Sequence, residues 1–175
     1  MTCRSKLLIY KTALILAAIG LFFAPLVMAD DALQGRVSAQ FELLDANDEI
    51  VSANDFKGKY VLLGFGFTHC LHICPMMAAN MGQALRLSAN DAAGVFISVD
   101  TERDTPQITD AYAKKFGEQM IGLSGSYAQI VAAAKSFGVT FVVTKSDDAY
   151  TVQHTPDIFL IDPDGEVVST IRIWS

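Results

Sequence analysis

Tyr60-Val61-Leu62-Leu63-Gly64-Phe65-Gly66-Phe67-Thr68-His69-Cys70-Leu71-His72-Ile73-Cys74-Pro75 carries an unbroken apolar run straight into a cluster of thiols and imidazoles. Tyr60 to Phe67 reads as a strand buried on both faces, because continuous apolarity rather than alternation marks such a strand. Pro75 suits the first turn of a helix, where its missing N–H is no loss. That helix is expected to reach about Asn90. Met77, Met81 and Leu85 recur every fourth residue on it and form a stripe for the core.

The elements on either side alternate in type. Phe41 to Leu44 and Ile50-Val51 read as short strands joined through Asp45-Ala46-Asn47-Asp48, and Asp55 to Lys59 as a loop. Gly94 to Val99 is the next buried strand. Thr105-Pro106 reads as N-cap and first turn of a helix through Phe116, ended by Gly117. A further helix runs from about Tyr127 to Phe137 before Gly138, and Val139 to Val143 is strand-like. Asp157 to Ile161 and Glu166 to Ile173 form a hairpin about Asp162-Pro163-Asp164-Gly165. The fold class is therefore α/β, a central mixed sheet flanked by helices. A cysteine pair between a buried strand and a helix N-terminus in such a unit reads as thioredoxin-like.

Residues 1–29 are set apart from this pattern. Arg4, Lys6 and Lys11 precede an apolar stretch from Ala13 to Met28, and Val27-Met28-Ala29 has the small residues of a cleavage site. The segment reads as a signal peptide or an uncleaved N-terminal membrane anchor. It is short for a spanning helix, which needs ~20 apolar residues. Either way residues 30–175 are expected to be one exported domain, periplasmic in a bacterium, soluble or tethered to the inner membrane through the N-terminus. The 13 basic residues of the chain face 19 acidic ones, and three of the basic residues lie in the first segment. So acidic a remainder argues against nucleic acid as a partner.

Cys3 also belongs to that segment, which leaves Cys70 and Cys74 as the thiols of the domain. A disulfide closing so short a loop stabilises little, so a pure staple is disfavoured. Placed directly before Pro75, Cys74 is expected to be the helix N-cap, with its thiolate stabilised and its pKa depressed by the helix terminus. Cys70 lies four residues upstream. This is wider than the two-residue gap of ordinary thioredoxins, leaving room for an ion while still permitting a disulfide. His154 precedes the strand Asp157 to Ile161, and in a thioredoxin-like sheet that connection passes beside the cysteines. Two thiolates and one imidazole make a three-coordinate site suited to Cu(I), and to Cu(II) with a further weak ligand. Two uses stay open: a copper site, or a thiol–disulfide oxidoreductase acting through Cys70 and Cys74.

The ordered blocks Gly64 to Cys70 with Cys74-Pro75, Ser98 to Pro106, Ile121 to Gly125, Tyr150 to His154 and Phe159 to Gly165 together resemble the Sco/SenC family. Its members are copper-handling, membrane-associated proteins of thioredoxin fold. The resemblance implies copper ligands at Cys70, Cys74 and His154. It also implies a metallochaperone role, delivering copper to, or keeping reduced the thiols of, the CuA site in a cytochrome c oxidase subunit or another copper or thiol protein.

This chain departs from the family pattern at several places. Leu71-His72 stands where the family has Pro-Asp, which makes His72 a candidate extra ligand or a bystander. Thr101 and Gln153 stand where the family often has Pro and Asp, and losing the acid beside His154 is expected to alter how its ring is held. The sequence ends at Trp174-Ser175 where the family continues into a helix, so part of one sheet face is expected to be uncovered. Asp100, Glu102 and Asp104 are candidate cation ligands, but a local role reads better, with Asp104 and Thr105 capping the following helix. His69 reads as a packing or hydrogen-bonding residue, and Pro156 stands where thioredoxin-like folds often hold a cis proline.

Overall fold

The computed structural model describes residues 37–88, 92–147 and 149–173. The segment read as signal or anchor lies outside these residues. The elements in chain order are β1 (Val37–Ser38), β2 (Glu42–Leu44), β3 (Ile50–Ser52), a short 3-10 turn (Ala53–Phe56), β4 (Tyr60–Gly66), α1 (Ile73–Leu87) and β5 (Ala92–Ser98). They continue with α2 (Pro106–Lys114), β6 (Met120–Leu123), α3 (Tyr127–Ser136), β7 (Phe141–Ser146), β8 (Ala149–His154), β9 (Asp157–Ile161) and β10 (Glu166–Arg172).

Six strands form one sheet in the order β1-β10-β9-β4-β5-β6. β4, β5 and β6 run parallel, joined by α1 and α2. β9 closes antiparallel on β4, and β10 on β9. This is the thioredoxin-like mixed sheet expected from the cysteine motif. β4 lies at its centre because it is apolar throughout, and Leu63 stands between Val95 and Phe159.

The pleat divides the core in two. Val61, Leu63 and Phe65 point to one face and pack with Val95, Ile97, Ile130 and Phe137. On that side Phe65 meets the rings of Phe137 and Phe159 edge-on. The opposite face takes α1 and α2 through Met77, Met81, Leu85, Phe96 and Met120, all buried. Gly64 and Gly66 point to this second face, where a Cβ on Gly64 would lie 2.9 Å from the Met77 side chain. The two glycines thus let α1 settle directly onto the strand, and the methionine stripe read from sequence is what it settles with.

Two local expectations are corrected. The helix begins at Ile73, with His72 as N-cap, so Cys74 lies inside the first turn rather than at its cap. Proline is tolerated throughout a first turn, so Pro75 did not locate the start to the residue. The segment before His154 is a strand, β8, paired with β7 in a separate two-stranded hairpin. The peptide bond before Pro156 is trans, and no cis bond occurs among the described residues. α2 is capped as its sequence predicts, with Thr105 accepting from the Ile108 N–H, and α3 is capped by Ser126, which accepts from the Gln129 N–H.

Candidate metal centre

Cys70 lies on the turn between β4 and α1, with its N–H bonded to the Phe67 carbonyl at 3.3 Å. Its sulfur faces the start of α1 and accepts the Cys74 N–H at 3.4 Å. The first N–H groups of a helix have no intrahelical partner, so it is Cys70, not Cys74, that takes the capping role. Burial opposes ionisation of Cys70. The Cys74 thiol and the N–H groups of Cys74, His72 and Ile73 outweigh it, and the pKa is held below that of an ordinary thiol.

Cys74 behaves in the opposite way. It is fully buried, and it sits under α1 close to where a Cβ on Gly66 would stand, 3.2 Å from its sulfur. Burial, reinforced by the hydrogen bond to Cys70 and that group's charge, pushes its pKa well above the ordinary thiol value. The expected depressed pKa at Cys74 is therefore overturned, because the helix starts two residues earlier than Pro75 implied and turns this side chain inward.

His154 ends β8. Exposure along β8 alternates, with Tyr150, Val152 and His154 on the inward side. The ring meets Phe67 edge-on, with centroids 5.9 Å apart. Nδ1 lies 3.0 Å from the Thr155 carbonyl oxygen, which can only accept, so Nδ1 carries the proton. Nε2 is left as an acceptor, with its lone pair facing the Cys74 sulfur at 3.2 Å. Burial lowers the His154 pKa, with the Thr155 bond partly opposing, and so favours the neutral ligand form. The ring is thus oriented by a backbone carbonyl and needs no acid at position 153.

The structure brings Cys74 and His154 into contact and leaves Cys70 further out, since the three donor atoms do not all lie within 4.8 Å of one another. Cys70 and Cys74 are both free thiols. His72 is exposed, and as N-cap its side chain makes no capping bond. His69 is also exposed, and its Nδ1 lies 3.2 Å from Thr68 Oγ1 and 3.5 Å from Asp104 Oδ1. Its donor atom and those of Asp100 and Asp104 do cluster within 4.8 Å. The carboxylate oxygens are already occupied, however: Asp104 accepts from Thr68 and Ser98, and Asp100 from Arg103 and Tyr150. That cluster is a hydrogen-bonded network rather than a free donor set.

Sequence reasoning passed over two tyrosines. Tyr150 donates to Asp100 at 2.6 Å, a role its even spacing from His154 along a strand would have placed on the same face. Tyr112 packs on Phe96 beneath the thiols. Its hydroxyl is buried with no hydrogen-bond partner among the described residues, and burial together with the nearby Cys74 and Cys70 thiols raises its pKa. Among the described residues no helix is long and apolar enough to cross a membrane.

The chain and its fold have counterparts in known proteins. The family model described as SCO1/SenC matches residues 29–173. Protein sco1 of Schizosaccharomyces pombe is 36% identical over 142 residues, covering 76% of this chain and 54% of that protein. The chain thus spans about half the length of that curated relative. ScoI of Arabidopsis thaliana, solved with copper bound, superimposes with a TM-score of 0.72 at 33% identity, over 79% of this chain and 89% of the other. ScoI of Bradyrhizobium japonicum, also solved with copper bound, gives a TM-score of 0.70 at 37% identity, over 77% and 88%. A match over nearly the whole described domain, carrying both cysteines and the histidine, places this chain in the SCO1/SenC family.

Proposed function

We propose that this chain is a copper-binding metallochaperone and assembly factor. It would hold one copper ion through Cys70, Cys74 and His154 and hand it to the CuA site of a cytochrome c oxidase subunit, from an exported position. The observation that carries this reading is the 3.2 Å approach of His154 Nε2 to Cys74 Sγ with Nδ1 committed to Thr155. A neutral imidazole with its lone pair aimed at a buried sulfur is half of a soft-donor site. Cys70, on a turn and with its pKa lowered, supplies the other sulfur by moving toward the pair. Copper bound to the similar ScoI proteins supports the same cargo here. Handover then proceeds by ligand exchange, which a half-exposed Cys70 permits from the solvent side.

The asymmetry of the thiols favours a second reading, a thiol–disulfide oxidoreductase. The Cys70 thiolate attacks a partner disulfide, forming a mixed disulfide and releasing one partner thiolate. His154 Nε2 takes the Cys74 proton, and Cys74 sulfur attacks Cys70 sulfur and releases the second partner thiolate. The partner disulfide gains two electrons and the Cys70–Cys74 pair loses them.

Anaerobic copper titration of the reduced chain separates the two. Binding of one ion per chain, with sulfur-to-copper charge-transfer absorption that is lost in His154→Ala, supports the chaperone. Weak binding unaffected by His154→Ala, together with turnover of disulfide substrates, would overturn it in favour of the oxidoreductase. Transfer to a purified CuA-bearing subunit then tests delivery.

A further inference from the structure

Asp100 to Asp104 lie in the connection from β5 to α2 and carry two buried carboxylates. The cap of α2 is Thr105, whose hydroxyl accepts from the Ile108 N–H at 3.3 Å. Neither carboxylate serves that helix. Each instead reaches a distant part of the chain.

Asp104 reaches back 36 residues to the cysteine turn. Its Oδ2 accepts the Thr68 N–H at 2.7 Å and its Oδ1 the Thr68 hydroxyl at 2.6 Å. Ser98 at the end of β5 donates to the same carboxylate at 2.6 Å, fixing it to the sheet. Thr68 stands two residues before Cys70, inside the turn closed by the Cys70 N–H to Phe67 bond. The backbone leading to Cys70 is therefore held from β5.

Asp100 reaches forward 50 residues to the histidine hairpin. Its Oδ1 accepts the Tyr150 hydroxyl at 2.6 Å, and its Oδ2 accepts the Arg103 Nε at 2.5 Å. The Arg103 guanidinium lies over the Tyr150 ring, 3.9 Å from its centroid, so Tyr150 is gripped at both hydroxyl and face. Among the described residues, β7 and β8 pair with each other and with no strand of the main sheet. For a hairpin outside the main ladder, such side-chain anchors determine where its end, His154, stands.

We propose that Asp100 and Asp104 are positioning residues of one strut. Asp104 holds the cysteine turn through Thr68, Asp100 holds the histidine hairpin through Tyr150, and the loop between them sets the span from Cys70 to His154. The inference rests on the reading of Cys70, Cys74 and His154 as copper ligands. It assigns the acidic loop to the geometry of the site rather than to metal binding or helix capping.

Tyr150→Phe is the test, since it removes one hydroxyl and keeps the ring under Arg103. Copper affinity of the full chain is measured by competition titration in the parent and in the His154→Ala background. Loss of a hydrogen bond to a charged group predicts about a tenfold weaker affinity in the parent. Because the strut acts through His154, no further loss is expected when His154 is absent. An equal loss in both backgrounds, or none in either, would overturn the strut. Amide hydrogen exchange of the metal-free chain gives a readout that needs no copper. Faster exchange in 141–146 and 149–154, with β4 and β5 unchanged, is expected for Tyr150→Phe, and unchanged hairpin exchange would overturn the proposal. If the parent binds no copper yet its hairpin loosens in the variant, the ligand reading fails while the anchoring of the hairpin stands.

Discussion

Cys74 Sγ and His154 Nε2 lie 3.2 Å apart although eighty residues separate them in sequence. One is carried by the first turn of α1 and the other by the last residue of β8. Their meeting follows from two packing facts: α1 sinks onto β4 over glycines, and the β7–β8 hairpin leans toward that same end of β4, where Phe67 meets the His154 ring. The consequences are open to measurement.

The two thiols should differ in reactivity. Cys70 is half-exposed with a lowered pKa, and Cys74 is buried with a raised one. On treatment of the reduced, metal-free chain with iodoacetamide at pH 7, Cys70 is expected to be alkylated at least about tenfold faster. Peptide mass spectrometry at short times reads this directly. Equal labelling, or faster labelling of Cys74, would contradict the burial of Cys74.

Stability should fall on mild acidification through His154. Its folded-state pKa is lowered by burial. Below the unfolded value of about 6.5 the unfolded chain therefore takes up a proton that the folded chain resists. The contribution is complete above that value and is lost as pH falls toward the folded pKa. Urea midpoints at pH 7.5 and 5.5 should show a drop in the metal-free parent that is smaller in His154→Gln. The same drop in both proteins would assign the effect to other groups.

His72→Asp should slow Cys70 with little gain in stability. His72 is the N-cap of α1 and makes no capping bond. An aspartate there meets no free partner, because the Cys74 N–H is taken by the Cys70 sulfur and the next residue, Pro75, has no N–H. The added negative charge near the Cys70 sulfur should raise its pKa and lower its alkylation rate at pH 7. If His72 is a bystander to the metal, copper affinity stays within about threefold of the parent. A far larger loss of affinity would make His72 a ligand.

Gly66→Ala should be costly and Gly64→Ala less so. A Cβ at Gly66 would stand 2.7 Å from the Phe96 ring and 3.2 Å from Cys74 Sγ, whereas at Gly64 the nearest neighbour is the flexible end of Met77 at 2.9 Å. Overpacking of a rigid ring predicts a loss of about 1–3 kcal/mol for Gly66→Ala. Chemical denaturation of both variants would show the order. A milder effect at Gly66 would mean that Phe96 yields more easily than its packing implies.

Much of this fold was legible in the sequence because its signals are local. Continuous apolarity from Tyr60 to Phe67 announces a central strand. The spacing of Met77, Met81 and Leu85 announces the buried face of a helix. Thr105-Pro106 announces a helix start, and the structure bears out all three. The start of α1 was not legible to the residue, since Pro75 is compatible with several places in a first turn, and the assignment of the capping sulfur turned on those two residues. The strand character of Tyr150 to His154 was missed because Thr151 and Gln153 point outward from a hairpin with one covered side. That alternation has meaning only once β7 lies opposite.

The sequence by itself determined the α/β class and the alternation of elements from β4 to α3, and it offered Cys70, Cys74 and His154 as candidate donors. These depend on residue type and short spacing, which local sterics and apolar periodicity translate directly into structure. Only the tertiary structure decided which sulfur is primed and which is buried, which imidazole nitrogen faces the thiol, and what Asp100 and Asp104 hold. Each of those depends on desolvation and on hydrogen bonds between segments 36 to 80 residues apart. Distances of that kind exist only after the sheet has assembled.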